Sequence, residues 1–229
     1  MGTLRAEEPV AVALAQAIRG GDLESLQRLL SENPGLAVAR IAGSEDCKTG
    51  GTSRTLLHVV TDWPGHFPNG AATVAALIQA GAEVNARFSG PHTETPLHWA
   101  ASSDDLGVLD ALLDAGADIE APGGVIGGGT PLADAVAFGQ WQAARRLIER
   151  GARTTLWQPA ALGLLERVEE YFTAEPSGAL PRRPLAHRGQ ALHHPMKSLM
   201  LSGAPATAGS QRRRGISGPG RRAQLDRLR

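Results

Sequence analysis

This chain has one cysteine, Cys47, and its aromatic residues make up only 4% of 229. A lone cysteine excludes an internal disulfide and any multi-cysteine zinc site. No apolar run reaches the ~18 residues of a membrane-spanning helix, and no charged segment leads into an apolar one at the N-terminus. Membrane spanning and secretion are therefore disfavoured, and the cytoplasm is the expected compartment. So few bulky rings argue against one large core, while 28 glycines and abundant alanine suit thin, repeated helical layers. The length alone is compatible with one or two domains.

Charge of one sign is absent only on average. Residues 1–174 carry 12 Lys+Arg against 21 Asp+Glu, whereas residues 175–229 carry 11 against 2. An acidic body is thus followed by a basic tail.

What is present is an internal period. The segments 76–86, 111–121 and 146–153 align without gaps, and their glycines Gly81, Gly116 and Gly151 are 35 residues apart. A second marker runs beside the first: Thr55-Leu56-Leu57-His58, Thr95-Pro96-Leu97-His98 and Thr130-Pro131-Leu132-Ala133. Thr95 suits a helix N-cap, and Pro96 fits the first helical position, where its missing N–H costs nothing. Leu97, Ala100 and Ala101 then give a short helix with a small-residue face. A second helix is predicted over 105–115, with Leu106, Leu109, Leu112 and Leu113 on one stripe. Gly116 ends it in a left-handed conformation. Residues 117–130 show no helical pattern and read as a projecting finger.

Residues 95–121 closely resemble the ankyrin repeat, whose pattern is T-P-L-H-x-A-A…L-L…G-A-D-I-x-A. The resemblance implies an all-α solenoid of stacked helix-turn-helix units with projecting fingers. It also implies that each Thr-His pair bonds within its helix start and to the neighbouring finger. About five helix pairs are expected, at residues 8–42, 54–86, 94–121, 129–156 and 158–174. The first lacks the Thr-Pro start and reads as a cap. The last follows a largely deleted finger, because Gly163 lies only 24 residues after Gly139. A fraying end is expected around Leu164 to Phe172.

Two insertions interrupt the period. Leu30 to Thr55 is 25 residues, against 17 for both Ile78 to Thr95 and Leu113 to Thr130. The first finger is therefore long, and it holds Cys47, read as incidental. The second unit carries extra residues around Trp63 to Pro68, between its helices. Insertions in solenoids map to loops on one face, often the binding face.

No nucleophile–base pair and no metal-ligand spacing emerges, so neither catalysis nor a cofactor is expected. His58 and His98 occupy equivalent places one unit apart, which suits structural roles. The glycines from Gly123 to Gly129 superficially resemble a phosphate loop, but they lack the Gly-Lys-Ser/Thr ending. Asp104, Asp105, Asp110 and Asp114 read as solvated helix faces. Trp99 and Trp141 are assigned to the core, and Trp157 to the closing end of the stack.

Another protein is the expected partner, bound by a monomer with no membrane involved. The candidate contacts are Trp63, Phe67, Phe88, His92, Glu94, Ser102, Ser103 and Phe138, at inner-helix exits and on a finger. Aromatic side chains most often anchor interfaces. For Trp63 and Phe67 the alternative is that they pack their own insertion. Beyond Pro176 the pattern stops, and three readings of the tail stand side by side. It is a disordered basic segment, a tether for nucleic acid or another acidic partner, or the product of a frameshift in GC-rich DNA.

Overall fold

The computed structural model describes residues 2–43 and 51–173. Cys47 and the basic tail lie outside the described residues. Within them the helices come in pairs. Helix α1 (Pro9–Gly20) precedes α2 (Leu23–Glu32), and α3 (Leu56–Val60) precedes α4 (Gly70–Gln79). Then follow α5 (Pro96–Ser102) with α6 (Leu106–Asp114), α7 (Pro131–Ala137) with α8 (Trp141–Glu149), and α9 (Trp157–Ala161) with α10 (Leu165–Thr173). Among the described residues, no helix is long and apolar enough to cross a membrane.

The odd-numbered helices stack on one another as an inner layer, α1 on α3, α3 on α5, α5 on α7 and α7 on α9. The outer helices α2, α4, α6 and α8 stack in the same order. The core runs between the layers, through Leu14, Leu57, Leu77, Leu97, Leu112, Leu132 and Leu147, all at most 1% exposed. Small side chains keep the inner layer close, with Ala100, Ala101 and Ala135 fully buried.

A three-stranded sheet joins the helices, which sequence pattern did not anticipate. Strand β2 (Arg40–Ala42) pairs in parallel with β1 (Thr3–Arg5) and antiparallel with β3 (Ser53–Thr55). Each strand is three residues long, too short for a period-two signal to show. The long first finger is thus a hairpin whose outgoing strand runs straight into the Thr55 helix start. The fifth unit also starts earlier than expected, at Thr155, whose N–H and hydroxyl both donate to Gln158 Oε1, at 2.6 and 2.5 Å.

The match of Gly139 with Gly163 extends in the backbone to all five units. The turn between paired helices places Gly21, Asn69, Asp104, Gly139 and Gly163 in the left-handed region, with φ between 56° and 72°. Gly, Asn and Asp are the residues that tolerate it best.

Asp114 lies on a solvated helix face as expected, whereas Asp104, Asp105 and Asp110 are corrected, being buried or half-buried and bonded. Asp104 Oδ1 accepts from the Ala143 N–H at 2.6 Å, and Asp105 caps α6 through the Val108 N–H. Asp110 pairs with Arg146 and with Arg150 at 3.0 Å, while Asp114 meets Arg150 at 2.6 Å. The bonds of Asp104, Asp110 and Asp114 tie the third unit to α8 along the outer surface. Trp141 is also corrected, because it is 47% exposed. It is the first residue of α8, and the buried stripe there is Ala143, Ala144, Leu147 and Ile148.

Asp62 is the most buried junction between the first two units. It is 2% exposed, and its Oδ2 accepts from Arg19 at 2.9 Å and Arg54 at 2.8 Å. Replacing it with alanine leaves two half-buried guanidinium groups without their shared acceptor. We expect Asp62→Ala to lower stability by about 2 kcal/mol, measured by urea unfolding. An unchanged midpoint would remove Asp62 from the account.

Candidate partner-binding surface

The fingers are held in place from below by the buried histidines. His58 Nδ1 lies 2.8 Å from the Thr55 hydroxyl and accepts from the Thr55 N–H at 3.4 Å. His98 repeats this with Thr95, at 2.9 and 3.1 Å. Since Nδ1 accepts, the proton sits on Nε2, which donates to the carbonyl of Glu94 from His58 and of Gly129 from His98, both at 3.1 Å. Each carbonyl belongs to the next finger, so every histidine joins its helix start to its neighbour. Burial is the main reason that His58 is pushed down to about 3 and His98 to about 4. Both therefore stay neutral.

Arginines join the fingers side by side. Arg40 donates to the carbonyls of Ser53 and Arg87, at 2.7 and 2.8 Å. Arg87 in turn donates to the carbonyls of Thr93, at 3.1 Å, and Pro122. Ser53 and Ser89 exchange backbone bonds at 2.8 and 2.9 Å.

The third finger closes over a carboxylate. Asp134 is 1% exposed, and its oxygens accept from the Val125 and Ile126 N–H groups, both at 3.3 Å. A Cβ at Gly124 would sit 2.7 Å from both oxygens, so this backbone needs glycine to approach. Burial raises Asp134 to about 6, against the two N–H bonds and with a further push from the charge of Glu94.

The candidate contacts fall into two groups at opposite ends of the inner helices. On the finger side, Phe88 is half-buried and packs on Trp99 with ring centres 5.4 Å apart, and Trp99 meets His58 edge-on at 4.9 Å. His92 is half-buried on the same finger. Glu94 is corrected: at 4% exposure its carboxylate is closed to a partner, and burial raises its pKa. What the residue contributes is its carbonyl, which accepts from His58 and from the Phe88 N–H at 2.8 Å.

On the exit side, Ser103 and Phe138 are the residues that end α5 and α7, and both are half-buried, as is Ser102. The insertion of the second unit lies against Ser103. The His66 N–H donates to Asp105 at 2.7 Å, and His66 Nε2 lies 3.0 Å from the Ser103 carbonyl. This pinned loop presents Trp63 at 49% exposure, while Phe67 is half-buried. The two groups are separated by the length of α5, seven residues or about 10 Å. Trp99 is core as expected, at 9% exposure, and it also backs Phe88 of the finger group. It stands four residues after Thr95, where the next unit has Asp134 and the previous one Val59.

The repeat geometry agrees with comparison to known families. The family model described as ankyrin repeats (3 copies) matches residues 14–123 and 69–156, more than half of the chain. The chain belongs to the ankyrin-repeat family. Ankyrin repeats are in general protein–protein interaction modules. The Thr-His bonds implied by the resemblance are present in both units that carry the pair. Among the described residues no three His, Cys, Asp or Glu side chains gather where they could hold a metal ion.

Proposed function

We propose that this ankyrin-repeat chain is a non-catalytic scaffold that binds a protein partner across its fingers and inner-helix exits. The binding domain is residues 1–174, and the basic segment 175–229 is not needed for it. The observation that carries the reading is Trp63, a large apolar side chain 49% exposed on a loop bonded to its neighbouring unit. A rigid, exposed tryptophan loses little entropy when it is covered, which is the usual character of an interface anchor. Phe88, with Trp99 beneath it, supplies a second apolar contact, and His92, Ser102, Ser103 and Phe138 complete the surface.

Capture of partners from the native cell tests this directly. The double variant Trp63→Ala, Phe138→Ala is expected to weaken binding about 30-fold or more, as loss of an anchor worth ~2 kcal/mol does. A chain ending at residue 176 is expected to bind as the full chain does. If truncation abolished all binding and raised salt did the same to the full chain, the Arg-rich tail would be the binding element, with nucleic acid or another polyanion as partner.

A further inference from the structure

The last helix pair exposes the surface that every earlier pair buries. Thr155 corresponds to Thr130, which aligns Leu156, Trp157, Ala160 and Ala161 with Pro131, Leu132, Ala135 and Val136. The four residues of α7 are buried, and Leu156 with the three of α9 are exposed, Trp157 at 44%. Gly163 corresponds to Gly139, which aligns Tyr171 and Phe172 with Leu147 and Ile148. Leu112 and Leu147 are fully buried, whereas Tyr171 is 41% and Phe172 76% exposed. No residue of α10 is buried.

From this alignment we infer that α9 and α10 form a stacking face whose occupant is a further ankyrin helix pair, encoded downstream in another reading frame of the same gene. Continuity with the interfaces before it identifies the occupant. A helix pair covers the equivalent face at α1–α2, at α3–α4 and at α5–α6, and α9 packs on α7. Ala160 and Ala161 leave room for close helix approach, as Ala100 and Ala101 do two layers inside the stack. Residues 177–229 are not that pair, since they contain neither a Thr-Pro-Leu start nor a Gly-Ala-Asp end. The change beyond residue 174, from 12 basic against 21 acidic residues to 11 against 2, marks the place where the frame departs. Arginine, proline, glycine and alanine dominate the new segment, which is what GC-rich codons yield when read out of frame. Solenoids need a polar capping repeat to remain soluble, and the restored segment would supply it.

Two measurements test the inference. Resequencing the gene and its transcript across codon 176 should place a helix pair with the Gly-Ala-Asp type of ending in one of the other two frames; its absence from both overturns the inference. Amide exchange is then compared between the full chain as it stands and the frame-restored chain. In the chain as it stands, amides of 165–172 should exchange about 100-fold or more faster than those of 141–149, and restoration should remove most of that difference. Unchanged exchange after restoration contradicts the inference. So does faster exchange over 156–172 when residues 177–229 are deleted, since the present tail would then be the cover. A dimer of the present chain that Phe172→Asp dissociates would assign the face to a second copy, with the same consequence.

Discussion

Lowering the pH from about 7 to 5 is expected to remove roughly 2–3 kcal/mol of folding stability net, the loss through His58 and His98 being offset in part by Asp134. Both are fully buried, and burial holds them at about 3 and about 4. In the unfolded chain each titrates near its ordinary 6.5. Below that value the unfolded state takes up protons that the folded state refuses, so stability falls as the pH falls, down to the folded values. At pH 5 each histidine costs about 2 kcal/mol. Charging the ring would also put a proton on Nδ1, against the N–H of the threonine that now donates to it. Asp134 acts in the opposite sense. Raised to about 6, it is paid up in part as acid protonates it, and returns about 1 kcal/mol between pH 7 and 5. Glu94, shifted the same way, adds to that return.

The control is a substitution that the protein already makes. Gln158 occupies the histidine place in the fifth unit and accepts from Thr155 just as His98 Nδ1 does from Thr95. The double variant His58→Gln, His98→Gln should therefore fold at neutral pH and lose the acid sensitivity. Urea unfolding at pH 7 and pH 5 provides the measurement. A wild-type midpoint that is equal at both values would contradict the assignment.

Leu112→Ala is expected to cost about 3–5 kcal/mol, the range for a fully buried leucine replaced by a cavity. The position lies in α6 at the centre of the stack, in contact with the outer helices on both sides. Each unit of a solenoid is held mainly by its neighbours, so a weak central layer also loosens the pairs beyond it. Phe172→Ala, at a residue 76% exposed, should change stability by less than about 0.5 kcal/mol. Thermal unfolding of both variants tests the contrast. Equal losses would mean that the C-terminal pair is as well packed as the middle.

The sequence made the stack legible because each unit needs the same side chains at its two ends. Thr-Pro-Leu-His sets a helix start that bonds to the next finger, and Gly116 ends a helix where the backbone must turn left-handed, with φ at 88°. What was hidden depends on neighbours one unit away. Asp110 and Arg146 are 36 residues apart, and nothing local in either helix announces their pairing. The same holds for Glu94, whose charged character suggested exposure while the fold closed over it. Trp141 falls at a position that usually faces neighbouring helices, but its place at the first turn of α8 turns it outward. The left-handed turn residue was legible at Gly139 and Gly163 but not at 21, 69 and 104, because three residue types fill the position. Of the candidate surface, the sequence picked out Trp63, Phe88 and the helix exits, but not the 10 Å or so that divides them into two groups.

The most direct test of partner binding places a photo-crosslinking residue, in separate variants, at positions 63, 88 and 138, and at 28 and 149 on the outer helices α2 and α8. Irradiation in native-cell extract, followed by mass spectrometry, reads out what each position touches. Covalent adducts to the same protein from 63, 88 and 138, with none from 28 or 149, are the predicted result. Adducts arising only from the outer positions, or only to nucleic acid, would contradict a scaffold that works through its fingers and inner-helix exits.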